Sequence, residues 1–187
     1  MKRIICTICS LLVICISGCT TIGGGHGGPT NSANLTAEKI WLIASEGRDS
    51  LSALGFTVIF NGGGIPSDTK STSGEWAEYY QYEAQTGTLV DEGMKRDWPE
   101  MGFFGKYGLE LIKDAGLFVN VLGGATFADE VHLYHSTLGP PHYTDHEGWN
   151  IYGMFGGGIS YFLNGDILIQ IDHDNRRGLT VGLCFWY

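Results

Sequence analysis

The stretch Leu179 to Tyr187 limits the fold more than any other part of the chain. It reads Leu-Thr-Val-Gly-Leu-Cys-Phe-Trp-Tyr. Leu179, Val181, Leu183, Phe185 and Tyr187 fall on one face. Thr180, Gly182, Cys184 and Trp186 fall on the other. Side chains of a β-strand point alternately to opposite faces, so this period of two predicts a strand with one apolar side.

The same pattern recurs upstream. Asp166 to Asp172 sets Ile167, Ile169 and Ile171 against Leu168, Gln170 and Asp172. The pair Asn164-Gly165 before it is a hairpin signal, because type I′ turns need two residues that tolerate positive φ. Trp149 to Phe162 is a long glycine-rich strand with Ile151, Phe155, Ile159 and Tyr161 on one face. Gly102 to Ile112 sets Phe103, Tyr107, Leu109 and Leu111 against Phe104, Lys106 and Glu110. After a turn at Lys113-Asp114-Ala115, Leu117 to Phe127 sets Val119 and Val121 against Asn120, Gly124 and Thr126. Leu54 to Phe60 and the aromatic Glu75 to Gln85 are also expected as strands, and Lys39 to Ala44 as strand or helix. Together they make eight antiparallel segments. The glycines Gly153 and Gly156 to Gly158 precede no helix start, so they suit close packing between strands better than phosphate binding.

The chain opens with Lys2 and Arg3 and an apolar run from Ile4 to Ile16. That run is shorter than the roughly 20 residues a membrane-spanning helix needs, so it predicts an export signal. Ile16-Ser17-Gly18-Cys19 resembles the lipobox of bacterial lipoproteins. The resemblance implies cleavage after Gly18, a 1–18 signal peptide and covalent lipid at Cys19. Thr20 is not the Asp that, in many such families, retains a lipoprotein in the inner membrane. Cys6, Cys9 and Cys15 would leave with the signal. Lipid at Cys19 would then leave Cys184 without a partner and no disulfide framework. Residues 19–35, rich in Gly, Ser, Asn and Thr, are expected as a flexible lipidated tether. Without Lys2 and Arg3, 9 basic side chains face 20 acidic ones, a formal charge of −11. That surface excludes phosphate-backbone binding, so no nucleic-acid partner is expected.

Residues 36–187 then read as one all-β domain: an antiparallel up-and-down barrel of about eight strands. Its terminal strand, with apolar residues two, four, six and eight positions before a final aromatic, is similar to the assembly signal of outer-membrane barrels. The carriers of that likeness are Leu179, Val181, Leu183, Phe185 and Tyr187. The region from about Leu51 onward resembles the small OmpA-type and OmpX-type barrels. The resemblance implies a transmembrane barrel in the outer membrane, surrounded by its lipid, and delivered by barrel-assembly and lipoprotein-sorting machinery. It implies no enzymatic activity and no cofactor beyond the lipid, with a structural or surface-interaction role through long external loops. Loops at 86–100 and 128–147 are expected outside, with 128–147 as the candidate partner surface. Short turns at 113–115 and 163–165 are expected inside. A long connection at 62–73 falls on the inner side, against the usual asymmetry of such barrels. The rival architecture is a soluble lipid-tethered barrel binding a small apolar ligand, which would carry apolar residues inside and polar ones outside.

Three clusters are chemically suggestive. Asp129 to Glu147 holds His132, His135, His142 and His146 among carboxylates. These are donor types for Zn²⁺ or Cu²⁺, but their spacing matches no standard site, and no metal is expected. His135-Ser136, with Glu110 or Asp172, supplies the residue types of a lipid A deacylase-like hydrolase. Adjacent residues on a strand point apart, however, and a serine nucleophile needs its base within hydrogen-bond reach. Arg176 and Arg177 read as part of a charged turn, and also as candidate contacts for lipopolysaccharide phosphates, which suit a forked donor.

Overall fold

The computed structural model describes residues 19–29, 32–60, 65–97, 99–163 and 165–185. The expected signal peptide, Asn164 of the Asn-Gly turn, and Trp186 and Tyr187 lie outside the described residues. The strands are β1 (Cys19–Gly27), β2 (Ser32–Ile43), β3 (Ser50–Phe60), β4 (Lys70–Ser71), β5 (Leu89–Arg96), β6 (Glu100–Glu110), β7 (Leu117–Ser136), β8 (His142–Leu163), β9 (Ile167–Asp174) and β10 (Gly178–Phe185). One helix, α1 (Ala77–Thr86), lies between β4 and β5.

Eight strands close into a ring. The order is β1-β2-β3-β6-β7-β8-β9-β10, with β10 returning antiparallel onto β1. Every neighbour in the ring is antiparallel. The fold is an all-β antiparallel barrel, as the alternation predicts.

Its membership differs from the expectation in two places. The segment from Cys19 that was expected as a tether is β1, paired with β10 on one side and β2 on the other. Ser32 to Leu35, also assigned to the tether, begins β2. The alternation of β1 is hidden because Gly23, Gly24 and Gly25 carry no side chains to display it. Glycine is required there: a Cβ on Gly25 would stand 1.9 Å from the Leu179 carbonyl oxygen. Conversely, the expected strand at 75–85 is mostly α1. Its Ala, Glu and Gln residues favour helix, and Gly87 ends it in the left-handed conformation at φ 73°. With one strand lost and one gained, the count of eight survives. The described part of the connection expected at 62–73, residues 65–73, lies at the same end as 86–97, which removes the anomaly it posed.

The end where Cys19 and Phe185 lie is the base. The turns between β2 and β3, β6 and β7, and β8 and β9 are short and sit at the base. The long excursion between β3 and β6 sits at the top. Inside, the barrel is layered. At the base a cluster of Cys19, Ile40, Leu51, Ala53, Phe118, Leu168 and Cys184 fills the lumen, with Phe162 against it. Above it Lys106 donates to Glu38 at 2.8 Å and also pairs with Asp172, so three strands are tied across the interior. Asn120 donates to Ser160 at 2.6 Å in the same region. Near the top, Glu100 receives Arg176 through two bonds of 2.8 Å and Arg96 at 2.8 Å, while Arg177 pairs with Asp174. Buried charge is tolerated only when compensated in this way. Arg177 and Arg176 also stand over the rings of Phe104 and Tyr152, at 4.2 and 4.3 Å.

The outer wall is the reverse. One exposed apolar residue from each ring strand makes the point: Ile22, Leu35, Leu54, Phe103, Val121, Phe155, Ile171 and Val181. The inward positions Thr180, Gln170, Asp172, Asn120, Lys106 and Glu110 are all buried. Polar residues inside and apolar residues outside are the opposite of a soluble barrel.

Candidate functional site

The stretch at 128–147, expected as a loop, is an ordered hairpin. β7 and β8 run on past the ring and stay paired from Ala128↔Asn150 to His135↔His142. β5 adds to β7 along seven paired positions, and β4 lies parallel on β8. The result is a four-stranded head standing on the barrel. Tyr80 seats α1 on it, edge-on to Tyr134 and Tyr143 at 5.8 and 5.7 Å. Lys70 stacks over Trp76 at 4.9 Å. Tyr79, Tyr82 and Leu138 are left exposed on this head.

The four histidines each face a different carboxylate. His132 Nε2 lies 2.6 Å from Asp91, and its Nδ1 is 3.8 Å from Glu147. His135 stands 3.2 Å from Glu92, His142 2.9 Å from Asp68, and His146 3.6 Å from Asp129. Three of these carboxylates belong to β5 or to the segment before β4. His132 and His142, which hydrogen-bond Asp91 and Asp68, therefore fasten those segments to the hairpin. The backbone N–H of Gly93, with His132 adding to it, holds the Asp91 carboxyl below its ordinary range. His142 does the same for Asp68. Among the described residues no three His, Cys, Asp or Glu side chains gather as a metal site.

The residues of the hydrolase alternative are far apart. Ser136 Oγ accepts the Leu138 N–H at 3.2 Å, at the tip of the head. His135 turns to Glu92. Glu110 sits at the base, where it accepts the Gly116 and Asp49 N–H groups at 3.0 and 3.4 Å. Asp172 is held by Lys106 inside the barrel.

Arg176 and Arg177 correct the lipopolysaccharide expectation. Both guanidiniums point into the lumen, and Arg177 is 0% exposed. A turn sequence does not reveal which side of the wall its side chains take, and the acidic lumen claims these two. Cys19 and Cys184 are a second surprise. Both face the lumen at 1% exposure, with their Cα atoms 6.3 Å apart. The thiol expected to carry lipid thus faces the apolar base of the lumen, beside Cys184. Two cysteines remain beyond the expected signal peptide, and Cys184 falls on the inward face of its strand, but the glycines of β1 hide the place of Cys19. Of the expected assembly-signal residues, Leu179, Val181, Leu183 and Phe185 lie exposed on the outer wall.

No family model and no curated protein matches the chain. Among solved structures it is similar to Ail, the attachment invasion locus protein of Yersinia pestis. The identity is 9%, 89% of each chain is covered, and the TM-score is 0.39. A second structure of Ail, in complex with the heparin analogue sucrose octasulfate, aligns at 10% identity over 89% of each chain with a TM-score of 0.37.

Proposed function

We propose that this chain is an outer-membrane β-barrel protein without enzymatic activity, which holds its head outside the bilayer as a surface-interaction module. The observation that carries the reading is the apolar belt on the outer wall. Each of the eight ring strands contributes exposed apolar side chains to it, from Ile22 on β1 to Val181 on β10. Soluble proteins rarely leave contiguous apolar patches beyond a few hundred Å². In lipid the same belt is the favourable surface, and a closed ring leaves no strand edge unpaired. Ring strands of 8 to 12 residues, such as β9 and β2, also suit the ~9–11 tilted residues a bilayer crossing takes. Short turns at the base and the long excursion at the top match the asymmetry of such barrels, with the base in the periplasm.

The packed lumen disfavours transport, since an eight-stranded barrel is filled by its own side chains. It equally leaves little room for the small apolar ligand of a soluble barrel. The head is what remains to act. Its exposed Tyr79, Tyr82 and Leu138 are the side chains a partner would meet first, and tyrosine is a frequent interface residue.

Envelope fractionation with protease shaving of intact cells tests this. The expected result is detergent-dependent recovery from the outer membrane and a gel mobility that shifts on boiling. Shaving should cut between residues 65 and 97 and spare the ring. Recovery as a detergent-free periplasmic protein with no heat shift would overturn it.

A further inference from the structure

We propose that Cys19 and Cys184 form a structural disulfide that closes the barrel seam covalently, and that this bond, rather than an acyl chain, occupies the Cys19 thiol in the folded protein. The two cysteines lie on β1 and β10, the strands whose pairing turns an open sheet into a ring. Their Cα atoms are 6.3 Å apart, within the span a disulfide bridges. Both side chains face the lumen, in the apolar layer with Ile40, Leu51 and Leu168. A thioether-linked diacylglycerol at Cys19 would have to leave that packed layer to reach the bilayer. The bond spans 165 residues, nearly the whole barrel, and long loops are where a crosslink most restricts the unfolded chain.

The chemistry balances by thiol–disulfide exchange. One cysteine thiolate attacks the disulfide of an oxidised protein carrier and forms a mixed disulfide. The second thiolate then displaces the carrier, which leaves as a dithiol with both electrons, while the two thiol protons pass to solvent. Both sulfurs are buried once the ring is closed, so exchange precedes or accompanies closure. The proposal rests on export to an oxidising compartment.

The test uses full-length protein purified from detergent-solubilised envelopes, denatured without reductant and treated with a maleimide. The expected result is no label on Cys184 until reductant is added, and peptide mapping that recovers the Cys19 and Cys184 peptides as one linked species. Reductant should also slow the boiled chain on a gel, because it opens the 165-residue loop. Cys184→Ser should abolish that difference. Labelling of Cys184 without reductant, or a Cys19 peptide carrying acyl mass, would overturn the proposal. If Cys184→Ser fails to assemble, labelling of the unmodified protein decides alone. The unboiled heat shift reports separately on the barrel, so failure of the disulfide and failure of the membrane reading are distinguishable.

Discussion

β7 belongs to both halves of the molecule, and its side chains change allegiance part-way along. From Val119 to Val121 the odd-numbered residues are apolar and exposed, while Phe118 and Asn120 are buried. Beyond the ring, Val131 and Leu133 are still odd-numbered and apolar, yet they are buried. A register shift between Glu130 and Val131 marks the change. In the ring Val119 and Val121 point outward, while the lumen takes Asn120 and the buried charges and keeps apolar residues such as Phe118 in layers of their own. In the head an apolar residue points inward because the surroundings reward histidine, tyrosine and carboxylate. On the proposed reading, one solvent ends and another begins at this point: the wall is written for lipid and the head for water.

The comparison breaks most severely at Lys106. Lys106→Met leaves Glu38 and Asp172 buried without their cation. Removing one partner from a buried ion pair costs about 3–5 kcal/mol. Urea titration of the heat-modifiable form should show that loss, and an unchanged midpoint would mean the charged lumen does not hold the ring together. Next in size is a paired substitution. Val121→Arg places a guanidinium on the outer wall and should cost about 2–4 kcal/mol if that wall meets the bilayer midplane. Val90→Arg, at an exposed position on β5, should stay within about 0.5 kcal/mol. Equal effects in the two regions would erase the distinction between them.

Smaller again is Tyr80→Ala, which removes two edge-to-face contacts worth about 0.5–1.5 kcal/mol each. Limited proteolysis should then cut α1 faster and leave the ring untouched. The smallest effect is that of acid. The Asp68 and Asp91 carboxyls are held below their ordinary range in the folded head. Their contacts therefore contribute fully above the unfolded-state value, about 3.9, and are lost as pH falls through the lower folded values. Hydrogen exchange of β5 should accelerate below that range and hold steady above it. Ring amides should not respond.

Legibility followed side-chain size. Leu179 to Phe185 and Ile167 to Ile171 announced their faces because each position carries a side chain of clear character. β1 was invisible because three glycines erase the alternation exactly where backbones crowd. Glu75 to Gln85 misled because its tyrosines raise strand propensity, while Ala77, Ala84 and the cap at Gly87 decide for helix. For the candidate site, the sequence placed the four histidines in one segment with two of their partners, Asp129 and Glu147, but not with the others. Asp68, Asp91 and Glu92 are distant along the chain, and only tertiary pairing brings them near. Arg176 and Arg177 were legible as charged turn residues, but the side of the wall Arg176 takes depends on Glu100, 76 residues earlier, while Arg177 is held inside by Asp174 of its own turn.

The two long strands also make a mechanical path. β7 and β8 pass unbroken from the tip of the head to the base of the barrel, 20 and 22 residues each. A pull on the head would act along their length, at right angles to the hydrogen bonds that join them. Such a load is shared by many bonds at once instead of opening them singly. A load applied to the head would then be delivered to the wall of the barrel rather than to a flexible joint.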